Sequence, residues 1–106
     1  MGKLVVAYRH PTDTEEFELR CQGEHVEMAR RIPHLSGIEF GKVAGLMAGP
    51  PAPYHRIAEL YFADETALGQ AGGSEEGKAA FAHAGQIATG GLDAMVVQIE
   101  EGQSRS

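Results

Sequence analysis

Cys21 and His25 stand four residues apart in the stretch FELRCQGEHVEMARRIP, from Phe17 to Pro33. At 3.6 residues per turn they share a face with Phe17, Met28 and Ile32. An imidazole thereby sits in the middle of an apolar stripe. Two readings fit it. One is a core histidine satisfied by a backbone carbonyl or a water. The other is a general acid/base or ligand-orienting group in an apolar pocket, kept neutral near pH 7 because burial disfavours the charged ring.

Cys21 and His25 also have the i, i+4 spacing of two metal ligands on one helix. A catalytic zinc site takes about three protein ligands and a structural one four. His10, His34, His55 and His83 are scattered without ligand spacing, so no metal is expected. An activated thiol needs a lowered pKa, access and a base held by a third group. Cys21 has His25 as a possible base but no visible third group, and reads better as a small buried hydrophobe. Tyr8 is either a hydroxyl at the mouth of a pocket or an edge aromatic with its tip in water.

The elements that must position these side chains follow from the pattern. Lys3 to Tyr8 is a short apolar run that favours a strand and is closed by His10-Pro11. Asp13 is an N-cap with Glu16 three residues on, and the helix it opens ends at Pro33. Gly23 inside that helix costs about 1 kcal/mol against Ala, so its stability relies on burial of the stripe. Gly37 to Met47 forms a second strand, with Ile38 and Phe40 on one face and Glu39 and Gly41 on the other. Gly45 to Pro53, with three prolines and two glycines, is a loop. It is either a plain connection or a lid. Arg56 to Ala63 is strand three.

Asp64 caps a short helix to about Leu68, Gly72-Gly73 breaks it, and Ser74 opens another with the stripe Ala80, Phe81, Ala84, Ile87 and Ala88. Thr89 and the Gly90-Gly91 pair follow a helix rather than precede one, which makes them a C-cap and not a phosphate cradle. Ala94 to Glu100 is strand four. Residues 101–106 form a polar tail, expected to be disordered.

The order β-α-β-β-α-β is the ferredoxin-like signature: an α+β fold, a four-stranded antiparallel sheet with helices on one face. Phe62 directly precedes a helix cap, so Ala58, Leu60 and Phe62 are expected under the helices and Ile57, Glu59 and Tyr61 on the open face. That face is too apolar for water, and a second copy of the same sheet across a two-fold axis is its simplest cover. Glu59, mid-strand, then finds a polar partner across the dimer.

With 106 residues, one domain over 1–100 is the expectation. No apolar run approaches the ~20 residues of a membrane span. A net charge of −6, with Arg30-Arg31 as the one basic doublet, argues against nucleic acid. An RNA-binding sheet needs exposed stacking aromatics, and the open face of strand three offers Ile57, Glu59 and Tyr61. The single cysteine, Cys21, fits a reducing cytoplasm.

Four stretches in order, KLVVAYRHP, FELRCQGEHVEMARRIPHLSG, RIAELYF before an acidic cap, and ATGG before the last strand, resemble the EthD family of small dimeric α+β-barrel proteins. The resemblance spans nearly the whole chain. It implies a homodimer through the open sheet face and a cavity between the first helix and the sheet. His25 is then the candidate catalytic residue and Tyr8, Cys21, Met28 and Leu60 line the pocket. The family commonly has an aromatic residue where this chain has Cys21, and proline where it has Glu27, which implies a wider or differently polar pocket here. Similar folds house quinone- and polyketide-directed monooxygenases, cyclases and heme-degrading enzymes, and the namesake accompanies an ether-degrading monooxygenase system. The expected ligand is small and hydrophobic or quinone-like, in ether or aromatic-compound degradation. Any enzyme activity is monooxygenase- or cyclase-like, without a cofactor. The alternatives are a non-catalytic accessory or ligand carrier, and a heme-binding or heme-degrading protein.

Overall fold

The computed structural model describes residues 1–100, so the expected disorder of the tail at 101–106 lies outside the described residues. The chain runs β1 (Gly2–Arg9), α1 (Thr14–Arg20), a π-helical turn (Cys21–His25), α2 (Val26–Arg30), β2 (Leu35–Lys42), β3 (Tyr54–Phe62), α3 (Glu65–Gly73), α4 (Glu75–Ile87) and β4 (Leu92–Gln98). The four strands form one antiparallel sheet in the order β2-β3-β1-β4. This is the α+β, ferredoxin-like arrangement expected from the pattern.

Side-chain oxygens fix three helix starts. Asp13 accepts from the Glu16 amide at 3.1 Å, Asp64 from Ala67 at 2.8 Å and Ser74 from Gly77 at 2.9 Å. Each satisfies one of the amides that a helix start leaves without an intrahelical partner. Gly72-Gly73 does not break α3 at Leu68. The helix runs to Gly73 and restarts at the Ser74 cap.

Register sets the two faces. Leu4 pairs with Leu60, Val6 with Ala58, and Tyr8 with Arg56, and in a strand alternate residues share a face. Val6, Tyr8, Ala58, Leu60 and Phe62 are buried in one cluster with Phe17, Cys21, Ala29, Ile32, Ala71, Ala80, Ala84 and Ile87 from the helical layer. The open face receives Lys3, Val5, Ile57, Glu59, Tyr61, Glu39, Met95 and Val97. Glu59 takes its partner from its own chain: Lys3 Nζ lies 3.0 Å from its carboxylate. Lys3 and Glu59 face each other diagonally across β1 and β3, so no second subunit is required to neutralise the charge.

Two glycines allow the helical layer to close on the rest. A Cβ on Gly77 would lie 2.0 Å from the Ala71 carbonyl, so only glycine lets the first turn of α4 pass the end of α3. A Cβ on Gly90 would lie 2.0 Å from the His10 carbonyl, where the chain after α4 crosses the end of β1.

Candidate functional site

The first helical segment reaches the site through a widened turn. The Val26 amide donates to the Cys21 carbonyl, an i to i+5 bond, so one π turn is inserted at Cys21–His25. An α-helical four-residue step drifts around the axis, and the wider turn takes up that drift. Phe17, Cys21, His25 and Ala29 therefore all face the sheet and are buried, followed by Ile32. An uninterrupted α-helix would place Met28 in that row. In the structure Ala29 holds the place and Met28 is half-buried at the edge.

His25 is 5% exposed and packs between β1 and α4. Its Nε2 lies 3.0 Å from the Tyr8 hydroxyl. Its Nδ1 lies 3.0 Å from Nδ1 of His83, on α4. The two imidazole planes are inclined by only 18° and their centroids are 5.2 Å apart. That separation is what two rings joined edge to edge through a 3.0 Å N···N contact must have; rings stacked face to face sit closer. The contact is thus an in-plane hydrogen bond. Beyond it, His83 Nε2 faces the Glu24 carboxylate at 3.4 Å. His83 is 7% exposed and Glu24 is 74% exposed, so the row runs from the core to solvent.

Burial, and behind it the Cys21 thiol, raises the Tyr8 phenol well above its usual range. Tyr8 therefore keeps its proton and donates to His25 Nε2. Burial, followed by the neighbouring His83, pushes His25 down to about 4, so the ring is neutral near pH 7. With Nε2 accepting, its one proton lies on Nδ1 and is donated to His83 Nδ1. The His83 proton then lies on Nε2, toward an acceptor-only carboxylate. These tautomers are assigned from the network, the assignment that leaves every donor in the row aimed at an acceptor.

Beneath His25 lies a cavity of about 40 Å³ lined by Tyr8, Leu60, Ala29 and Ala84, with Val6 and Phe40 among its other walls. A second void of about 220 Å³ adjoins it, sharing Leu4, Ile32, Leu60 and Phe81, and extends toward Phe62, Leu68 and Val96. Both are almost wholly apolar. Of the expected pocket residues, Tyr8 and Leu60 line the cavity. Cys21 and Met28 do not: Cys21 is buried in the core cluster without reaching the cavity wall, and Met28 is displaced by the π turn. Cys21 is a free thiol whose pKa is raised, mainly by burial, which leaves it unsuited to act as a nucleophile.

The pairing of His83 with His25 carries no signal in the linear sequence, because the two are 58 residues apart. The place of His83 between Ala80, Ala84 and Ile87 on the buried stripe was the available clue. Phe81, expected in that stripe, is 42% exposed instead and borders the cavities from the rim. The loop from Gly45 to Pro53 lines neither cavity; it bonds to the body at Ala52, whose carbonyl lies 2.8 Å from His10 Nε2. Among the described residues no cluster of three His, Cys, Asp or Glu side chains has the geometry to hold a metal ion. Nor, among them, is any helix long and apolar enough to cross a membrane.

Residues 9–90 match the EthD domain. The chain is 34% identical over 92 residues to an uncharacterized 11.0 kDa protein in the thcB-thcC intergenic region of Rhodococcus erythropolis, covering 87% of this chain and 88% of that one. Its structure superimposes on an ethyl tert-butyl ether d (EthD) family protein from Bacillus halodurans C-125 with a TM-score of 0.87 and 28% identity, over 92% of this chain and 97% of the other. A protein of unknown function from Thermobifida fusca YX, described as dimeric and ferredoxin-like, superimposes with a TM-score of 0.69 at 18% identity, over 91% and 88% of the two chains. The chain belongs to the EthD family.

Proposed function

We propose that this EthD-family chain acts as a homodimer. Each subunit binds a small hydrophobic molecule, aromatic or quinone-like, between the first helical segment and the sheet, and His25 orients the ligand or moves a proton. The observation that carries this reading is the placement of His25. A neutral imidazole, bonded to the Tyr8 hydroxyl, stands at the wall of an apolar cavity that continues into a larger void. Few polar groups converging on an apolar hollow is the general form of a small-molecule site. The dimer is supported by Val5, Ile57, Met95 and Val97 on the open sheet face and by the dimeric Thermobifida fusca neighbour. A single, buried, unpaired cysteine suits the reducing cytoplasm, and a role in ether degradation rests on the ether in the name of the Bacillus halodurans neighbour.

Menadione, a compact naphthoquinone, is a suitable probe. In calorimetric titrations the wild-type chain binds it saturably. His25→Gln weakens binding, and Ala84→Met, which fills the cavity, abolishes it while the protein stays folded by circular dichroism. A carrier in which His25 is merely structural would keep full affinity in His25→Gln and lose only stability. The heme reading is less well supported, because both ring nitrogens of His25 are engaged and axial ligation would have to displace Tyr8 or His83.

A further inference from the structure

The row Tyr8, His25, His83, Glu24 crosses the helical layer from the apolar cavity to bulk water, and its members come from β1, the π turn, α4 and the π turn again. We infer that this row is a proton path connecting the cavity to solvent, with His83 as its second carrier and Glu24 as its outer acceptor. The inference rests on the ligand-binding reading above, which gives the inner end something to exchange protons with.

Several independent features point this way. Each link is short enough for transfer except the last: 3.0 Å from Tyr8 to His25 and 3.0 Å from His25 to His83. The last, 3.4 Å, leaves the buried His83 Nε2 without a closer hydrogen-bond partner among the described residues, aimed at a carboxylate that is free to move in solvent. In addition, π turns inserted in helices recur at functional sites, and this one supplies both His25 and Glu24.

The step balances without any redox partner. A ligand hydroxyl gives its proton to the Tyr8 oxygen, and Tyr8 passes its own to His25 Nε2. The His25 Nδ1 proton moves to His83 Nδ1, and the His83 Nε2 proton leaves to the Glu24 carboxylate, which gives it up to water. The ligand is left as its anion, one proton has reached solvent, and both rings have exchanged tautomers; the reverse passage resets them. The inner end therefore suits an apolar ligand bearing one ionisable or enolisable oxygen.

The test uses the full chain labelled with ¹⁵N-histidine. At neutral pH, long-range ¹H–¹⁵N spectra should show His25 protonated on Nδ1 and His83 on Nε2, with a scalar coupling between the two Nδ1 atoms. His25 protonated on Nε2 overturns the proposal. In Glu24→Gln, a surface change that leaves the fold intact, exchange of the His25 Nδ1 proton with water should slow by at least about tenfold; an unchanged rate overturns the path. For the ligand class, 2-naphthol should bind more tightly than naphthalene to the wild type and equally to Tyr8→Phe; equal binding to the wild type overturns the assignment of an oxygen-bearing ligand. Failure of menadione to bind would sink the ligand reading but leave the tautomers and exchange rates as predicted, so the two failures are separable.

Discussion

Nδ1 of His25 and Nδ1 of His83 lie 3.0 Å apart with their rings nearly coplanar, joining the first helical segment to α4 inside the core. Both rings are buried, and two charged imidazoles cannot share that position. Burial, followed by the neighbouring His83, keeps the His25 ring neutral near pH 7, and that has consequences for stability as well as for chemistry.

The first concerns pH. His25 titrates near 6.5 when unfolded and at about 4 when folded, so below pH 6.5 the unfolded chain binds the extra proton first. The stabilisation is complete above pH 6.5 and is lost as pH falls through 4. The loss amounts to roughly 3 kcal/mol from this one group. Urea titrations between pH 7.5 and 4 should show this slope, and His25→Gln should flatten it. An equal slope in the variant would assign the acid sensitivity to other groups.

Tyr8→Phe removes the hydroxyl and leaves His25 Nε2 buried without its donor. The expected cost is about 1–3 kcal/mol. The same change should move the His25 proton from Nδ1 to either nitrogen, visible in ¹⁵N shifts. A variant as stable as the wild type would mean that Tyr8 and His25 do not bond.

Close approach at Gly90 predicts that Gly90→Ala destabilises by about 1–3 kcal/mol, because the new methyl would meet the His10 carbonyl. Gly23→Ala is the control: nothing lies within 4 Å of where its Cβ would stand, and the residue is exposed. Thermal melts of the two variants should separate clearly.

On the open face, Ile57→Lys places a charge beside Val5 and Gly41, on the face that also carries Met95 and Val97. Light scattering should show the wild type at twice the chain mass, about 22.6 kDa from two chains of 11.3 kDa, and the variant at the single mass. A monomeric wild type would remove the proposed dimer.

The fold was largely legible in the sequence because its signals are local. Asp13, Asp64 and Ser74 announce the helix starts, and the alternation in Ala58, Leu60 and Phe62 identifies the helix-covered face. The inward aim of His25 was legible for the same reason. What periodicity could not show was the π turn, since a count of 3.6 per turn assumes an unbroken helix. That is why Met28 was expected in the pocket and Ala29 occupies the row. His83 was hidden more deeply: its significance comes from a contact across 58 positions, which no spacing rule reaches. The partner of Glu59 likewise depended on the register of β1 against β3, which brings Lys3 within 3.0 Å.

The claim on which the function turns is that a ligand occupies the hollow beneath His25. Methyl NMR spectra recorded during a menadione titration test it directly, because Ala29, Ala80 and Ala84 put their methyl groups on the cavity wall. The account predicts saturable shifts at these three methyls and at Leu60, with Ala63 and Ala79 on the exposed surface unmoved. Shifts confined to the open sheet face around Val5 and Ile57, or none that saturate, would contradict it.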